Sequence, residues 1–560
     1  MPIAQDAPTA RADSAFQQVD ASTALVAVRR QLGASEDLEL RHGLQDVPGR
    51  WDRQGALALA EMPRDHAPLP IELLLGALRA ALRSNGAVVL QAPPGAGKTT
   101  RVPLALLGES WLGGSRILML EPRRLATRAA ARRMAATCGE AVGATVGFRV
   151  RGETRVGSST RIEVVTEGVL TRMLLDDPTL ASVGIVIFDE FHERSMQADL
   201  GLALTLQSRE LLRPDLRILV MSATLDGAAV ASVLGGAPVL TSESRGHPVE
   251  VRYSPPRDGV NIEEQVAGTI RRALDRDEGS VLAFLPGAGE IRRCMASLER
   301  SSLPGDVRLL PLYGDLSSAA QDLAIAPAPA GARKVVLATS IAETSLTIDG
   351  VRIVVDGGLS RVSRFSPRSG MSRLDTVRVS QSSAAQRTGR AGRTAPGVSY
   401  RLWTPEEEAH LPLRSRPEIL ETDLASFALD LAACGVLDVH QLRWDDDPPA
   451  ATLAQARTLL RQLGALDAGD RITPHGRSMS SLGMHPRLAH MLVTARARGT
   501  GATACAIAAL LEERDVLRRD AAHRDADLRA RVALVAGDAR SDSDEVDRDA
   551  LRRDAKLLAS

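Results

Sequence analysis

One stretch constrains this chain more than any other: AVVLQAPPGAGKTT, Ala87 to Thr100. An apolar run of β character, Ala87 to Leu90, enters a turn rich in Pro and Gly and leaves through Gly97-Lys98-Thr99 into a helix-competent run. Strand, glycine loop and helix start, in that order, build a phosphate cradle. The loop's backbone N–H groups and the positive end of the helix converge on an anion. Lys98 then reaches the outer phosphate oxygens, and the Thr99 hydroxyl holds a magnesium ion. Gly95 and Gly97 flank Ala96 where backbone must approach phosphate, and Thr100 continues the helix start. Ala92 stands where the pattern usually opens with glycine, so the first turn must be made with φ below zero. Lysine usage supports the reading: of 69 basic residues only Lys98, Lys334 and Lys556 are lysines, and one of the three is here.

At 560 residues the chain exceeds one hydrophobic core, so two to four domains are expected. Its composition, 44% hydrophobic and 25% charged, is that of a globular protein. Net charge is zero, so a nucleic-acid partner must be held by a local basic lining and not by the field of the whole molecule. Cys138, Cys294, Cys434 and Cys505 form no CxxC pair and read as reduced thiols of a cytosolic protein, without zinc or disulfides. No apolar run is long enough to span a membrane. Asp6, Arg11, Asp13 and Asp20 break the start of the chain, so no signal peptide is expected.

Residues 1–66 show no strand–helix alternation and read as a poorly ordered N-terminal extension with a short helix over 22–32. A first α/β domain is expected over 67–245. A helix-like run at 71–83 precedes the loop strand, and further strands are predicted at 116–120, 161–165, 184–188 and 216–221. Short apolar strands alternating with helices argue for a parallel sheet covered on both faces. In such sheets ligands bind beyond the strands' carboxyl ends. The polar groups cluster there: Glu121 to Arg124, Thr166 to Gly168, Asp189 to His192, and Ser222 to Thr224. A second domain of the same kind, 246–408, has strands predicted at 249–253, 281–285, 307–312, 334–339 and 352–356, with helices at 262–276 and 290–300. It lacks a second GK[ST]. A projecting β-hairpin is expected over 358–379, turning at Pro367 to Gly370. Past about Trp403 the signals are helical, with a short break at Trp444 to Pro449 and a charged helical run from Arg514 onward.

The acid pair of IVIFDE, at the end of a buried strand, is placed to hold magnesium through Asp189 and to deprotonate an attacking water through Glu190. His192, two residues on, suits a relay to Ser222 and Thr224. In SSAAQRTGRAGR, Gln386, Arg390 and Arg393 recur at i, i+4 and i+7, a spacing that on one helix points all three the same way. Docked across the nucleotide, these arginines meet the γ-phosphate. An arginine finger is worth about 10³–10⁵ in rate, or roughly 4–7 kcal/mol of barrier. Hydrolysis then depends on domain closure, which is the design of a motor. Arg123, Arg124, Thr166 and Gly168 supply donors for a phosphate backbone on the face away from the nucleotide. With aromatics at 2%, backbone tracking is expected over base stacking.

The blocks APPGAGKTT, EPRRLA, VTEGVLTRML, FDEFHERS, MSATLDG, FLPGAGEI, LYGDL, ATSIAETSLTIDGV and QRTGRAGR, in this order between about Leu69 and Thr404, resemble the DEAH/RHA group of superfamily 2 helicases, in particular the bacterial HrpB-type ATP-dependent helicases. The resemblance implies two tandem RecA-like doubly wound parallel-sheet domains, followed by a winged-helix-like segment at 409–475 and a ratchet-like helical segment at 476–560. It assigns phosphate and magnesium to Lys98 and Thr99, metal and water to Asp189 and Glu190, and coupling of the two halves to Ser222 and Thr224. Gln386, Arg390 and Arg393 complete the site. Arg133 stacks on the base, Asp349 meets the ribose, and Ile325 takes the place of a stacking Phe. Thr339 joins the nucleic-acid contacts. The implied ligands are ATP or another NTP, Mg2+, and single-stranded or tailed nucleic acid, RNA before DNA. Movement runs 3′ to 5′, with the hairpin parting the duplex, in the cytoplasm and without a membrane. An ATP-regulated clamp that grips nucleic acid with little unwinding is the alternative, and a nucleotide-binding structural protein without turnover is a third. Phe191 in DEFH and Ser340 in TSIAET depart from the group's pattern, and the group implies a further C-terminal domain beyond Ser560.

Overall fold

Strands that are apolar on both faces dictate where they lie. AVVLQ (Ala87–Gln91, β1) and VGIVIF (Val183–Phe188, β6) are buried along their whole length, so each needs cover above and below. The computed structural model describes residues 69–536 apart from 224–226, 243–245, 302, 345–347, 367 and 513–526. The extension 1–66, its helix over 22–32, Thr224 and the start of the run from Arg514 lie outside the described residues.

The first sheet contains β1, β2 (Arg116–Glu121), β3 (Val146–Val150), β4 (Glu153–Arg155), β5 (Ile162–Thr166), β6, β7 (Arg217–Ser222) and β8 (Val239–Thr241). Its order is β4-β3-β5-β2-β6-β7-β1-β8, with every pair parallel except β3 with β4. Alternate side chains divide between two cores. Val88, Leu90, Ile117 and Met119 face one layer, with Leu78, Leu82 and Met134. Val89, Leu118, Leu120 and Phe188 face the other. That second layer runs without a break into the C-terminal helices, through Phe427, Leu431 and Leu460.

The second sheet contains β9 (Val249–Tyr253), β10 (Ser280–Phe284), β11 (Val307–Leu312), β12 (Arg333–Ala338), β13 (Val351–Asp356) and β16 (Gly397–Arg401), in the order β11-β12-β10-β13-β16-β9, all parallel. β14 (Leu359–Ser366) and β15 (Met371–Arg378) form the antiparallel hairpin expected there. Past Trp403 the described chain is helical, with one isolated bridge between Leu466 and Ile472. The chain is thus two RecA-like domains followed by a helical region.

Two differences from the sequence reading have simple causes. The run at 71–83 starts as a 3-10 turn, Pro70–Leu74, and becomes helix only over Leu75–Asn85, where it stops at Gly86 with φ +69°. Pro70 suits a first turn but cannot donate to one. Strands β3, β4, β8 and β16 went unread because they are short, interrupted by glycine or charged, and alternation needs length to show.

Candidate active site

Gly95 and Gly97 hold φ of +88° and +94°, the left-handed region that L side chains avoid, and Ala92 is absent from the residues with positive φ. A Cβ on Gly97 would lie 2.7 Å from Leu69 Cδ1. Gly97 is the N-cap of helix Lys98–Leu106, so Lys98, Thr99 and Thr100 form its first turn, where backbone N–H groups have no partner inside the helix. Ala96 is buried beneath the loop.

Facing this turn, β6 delivers Asp189 and Glu190. Lys98 Nζ lies 3.0 Å from Glu190 Oε1 and 3.8 Å from Asp189 Oδ1, and the Thr99 hydroxyl donates to Asp189 Oδ2 at 2.5 Å. Glu190 holds φ +50°, an unfavourable backbone for a glutamate, and its N–H donates to Asp189 Oδ1 at 2.8 Å. All three charged groups are buried. Burial alone would lower the Lys98 pKa, but Glu190 and Asp189 more than offset it and hold the ammonium protonated. Burial works against the Glu190 carboxylate, yet Lys98 and, more weakly, Arg390 keep it well below the usual range. Asp189 is pushed upward by burial and by Glu190, against the pull of Lys98. His192 Nδ1 stands 3.4 Å from Glu190 Oε2 and 3.3 Å from the Ala223 N–H, beside buried Ser222. Burial lowers the His192 pKa and keeps the ring neutral.

A third acid, unassigned from sequence, completes this wall. Glu121 ends β2 next to Asp189, whose N–H donates to Leu120 O at 3.1 Å. It is fully buried, and neither carboxylate oxygen has a hydrogen-bond partner. Burial, then Asp189 and Glu190, push its pKa far up. Asp189 and the Thr99 hydroxyl bonded to it are the oxygen groups that would hold a divalent cation, and the open helix turn suits phosphate. The residues present fit a nucleotide with magnesium.

The opposite wall comes from the second domain, and the spacing argument needs correcting. Helix Gln381–Gly389 ends before Arg390, so Gln386, Arg390 and Arg393 do not share one helical face. Gln386 lines a cleft of about 530 Å³ together with Arg123, Arg361, Arg378 and Arg414. Arg390 and Arg393 lie past the helix end, where both act electrostatically on Glu190. Arg390 donates through Nε to the Glu343 carbonyl at 2.9 Å. Burial and then the neighbouring Arg393 depress its pKa strongly, while burial pulls Arg393 down to about 10. Two desolvated guanidiniums that repel each other suit an anion placed between them.

Sequence reasoning passed over the residues that hold this wall. Arg387, 1% exposed, pairs with Asp356 at 2.8 Å and with Glu343 at 2.9 Å. Ser383 donates to Glu343, and Thr344 donates to Glu193 of the first domain. The one available signal was that Arg387 and Glu343 lie inside quoted blocks and remained unassigned. Arg194, also at positive φ, ties FDEFHERS to the helical region through Asp445 at 2.5 Å and Asp446 at 2.8 Å.

The remaining candidates are dispersed. Arg123 pairs with Glu193 at 3.1 Å, while Arg124 and Gly168 are exposed. Thr166 is the half-buried N-cap of helix Glu167–Asp176, and Thr339 is the half-buried N-cap of the 3-10 turn Ser340–Ala342. Arg133 and Asp349 are exposed, and Ile325 is half-buried. Next to Arg133, Arg132 reaches across the domains to both oxygens of Asp322, at 3.0 and 3.1 Å.

Residues 76–233 match the DEAD/DEAH box helicase family, and residues 265–395 match the helicase conserved C-terminal domain. The chain is 51% identical over 445 residues to ATP-dependent RNA helicase HrpB of Escherichia coli (strain K12), covering 80% of this chain and 55% of that protein. It is 37% identical over 497 residues to the pre-mRNA-splicing factor ATP-dependent RNA helicase prp22 of Schizosaccharomyces pombe (strain 972 / ATCC 24843), covering 88% of this chain and 42% of that one. A crystal structure of the Escherichia coli DEAH/RHA helicase HrpB superposes with a TM-score of 0.79 at 46% identity, covering 88% of this chain and 60% of that chain. The chain thus spans 55% and 42% of the length of these two relatives.

Proposed function

The chain belongs to the DEAD/DEAH box helicases, and from that premise we propose that it is an ATP-dependent helicase acting on RNA, coupling NTP hydrolysis between its two sheet domains to 3′-to-5′ movement along single strands. The observation that carries this reading is the pairing of walls: Lys98, Asp189 and Glu190 on one side, with Arg390 and Arg393 electrostatically linked to Glu190 from the other.

In this reading the turn Gly95 to Thr100 binds the phosphates, and Lys98 exchanges its pairing with Glu190 for phosphate oxygen. Thr99 and Asp189 hold Mg2+, which when bound withdraws charge from the phosphate oxygens. Glu190, released from Lys98, accepts the proton of the attacking water. His192, whose Nδ1 accepts from the Ala223 N–H beside Glu190, links the site to the segment Ser222 to Thr224 that couples the two halves. Arg390 and Arg393 meet the charge that develops on the transferred group. Gln386 completes the second wall, and Arg133, Ile325 and Asp349 receive base and ribose. Arg123, Arg124, Thr166, Gly168 and Thr339 contact the nucleic-acid backbone. A cytoplasmic location belongs to the same reading, supported by the likeness to a bacterial helicase and by four cysteines without disulfides.

The deciding experiment follows phosphate release and displacement of a labelled strand from a 3′-tailed RNA duplex in the same reaction. Both are expected, and Glu190→Gln lowers the hydrolysis rate at least ~100-fold. Stimulated hydrolysis with no displacement favours the clamp. An unchanged rate in the variant leaves only a nucleotide-binding protein without turnover.

A further inference from the structure

Lys98 occupies the phosphate loop, and Lys556 lies outside the described residues. The remaining lysine of this arginine-rich chain, Lys334, is buried near the start of β12 at 1% exposure. Its ammonium donates to three backbone carbonyls: Ala324 at 3.1 Å, Ile325 at 3.2 Å and Ala326 at 2.5 Å. These close the C-terminal end of helix Ser318–Ile325, where carbonyls lack partners inside the helix and the dipole is negative. An ammonium sends three N–H bonds from one small atom. A planar guanidinium spreads its donors in a fork and cannot converge on three carbonyls from the same buried point. The geometry explains why lysine stands here when almost every other basic residue is arginine.

The helix held this way faces the first domain. Asp322 takes both bonds of Arg132, and Ala324 and Ile325 join an apolar cluster with Leu125 and Ala129 of helix Arg124–Thr137. That helix packs in turn on the phosphate-loop helix Lys98–Leu106. Asp349 also acts electrostatically on Lys334.

We propose that Lys334 is a positioning residue of the nucleotide site: by gathering the last carbonyls of helix Ser318–Ile325, it sets the Ile325 wall against which base and ribose rest, without touching the ligand. This rests on the proposed reading of the interdomain cleft as a nucleotide site with Ile325 beside the base. It separates what the phosphate loop does from what the base wall does, so the test uses two probes. Titration calorimetry with Mg2+ compares ATP with inorganic tripolyphosphate, which has neither base nor ribose, on the full chain.

Lys334→Met is expected to weaken ATP about tenfold, and tripolyphosphate by less than about twofold. Lys334→Arg should behave like Lys334→Met. Ile325→Ala, which leaves the Lys334 bonds to the backbone carbonyls in place and keeps the question open to test if the Met variant misfolds, should show the same preference for losing ATP. Equal weakening of both probes in folded Lys334 variants overturns the proposal, as does full rescue by Arg. ATP affinity unmoved by Ile325→Ala overturns it too. A parent chain that binds neither probe removes the nucleotide reading itself, and the role of Lys334 with it.

Discussion

The two sheets share parallel strands with polar groups at their carboxyl ends, yet they handle buried charge in opposite ways. In the second sheet Asp356, ending β13, is answered by Arg387 at 2.8 Å, and Arg387 is answered again by Glu343 at 2.9 Å. In the first, Glu121, Asp189 and Glu190 are all buried, and the ammonium of Lys98 is set against all three. Desolvating an ion costs several kcal/mol, and only good pairing offsets it. The closed cluster of the second sheet therefore holds a structure together. The acid excess of the first, facing the crowded guanidiniums Arg390 and Arg393, is a site that a cation and an anion together can relieve. The same fold bridges two acids with one guanidinium where it must be rigid, and sets an excess of acid against one ammonium where it must react.

Replacing a residue on each side of that divide is the sharpest way to break the comparison. Arg390→Ala is expected to lower the maximal hydrolysis rate about 10³-fold or more, with thermal stability nearly unchanged, because a depressed, repelled guanidinium is removed. Single-turnover kinetics beside a melting curve reads both. A lower melting temperature with little loss of rate would move Arg390 into the structural class. Arg387→Met should do the reverse: lose ~3–5 kcal/mol of unfolding free energy by stranding Asp356 and Glu343. Denaturant unfolding measures this, and pairing the change with Asp356→Asn should recover part of the loss. A fully stable Arg387→Met chain would mean the second sheet's cluster is not the brace described here.

Much of this was legible before any coordinates. The central strands were readable because they are buried on both faces and need no alternation to stand out, and the acids and the loop fell at their carboxyl ends as the parallel sheet requires. The second wall was legible in its residues and not in its geometry. Gln386, Arg390 and Arg393 fit a helical period, but Gly389 ends the helix, and tertiary contacts with Glu343 direct Arg390. The roles of Glu121 and Arg387 were not legible, for one reason. Whether a buried charge is paired or stranded depends on residues as far away in the chain as Glu193 is from Glu121, which no local pattern records.

The smallest expected effect extends the acid excess of the first sheet beyond the reacting groups. Glu167, which opens the helix after β5, is pushed up to about 8 by burial, with Glu193, Glu418 and Asp199 adding to the shift and the Ser195 hydroxyl, 2.6 Å away, opposing it. Its folded pKa is above the unfolded value of 4.5, so the stability it contributes is fully present below that pH and is lost as pH rises through about 8. The side chain is not fully shielded from solvent, so about 1–2 kcal/mol is expected instead of the full linkage value. Melting curves between pH 5.5 and 8.5 should therefore decline more steeply for the parent chain than for Glu167→Gln, which stays neutral and keeps an acceptor for Ser195. If the two curves run parallel, Glu167 is ionised throughout and belongs with the paired charges. The excess would then be confined to Glu121, Asp189 and Glu190, and the acids would mark the nucleotide cleft alone and not the whole rim of the first sheet.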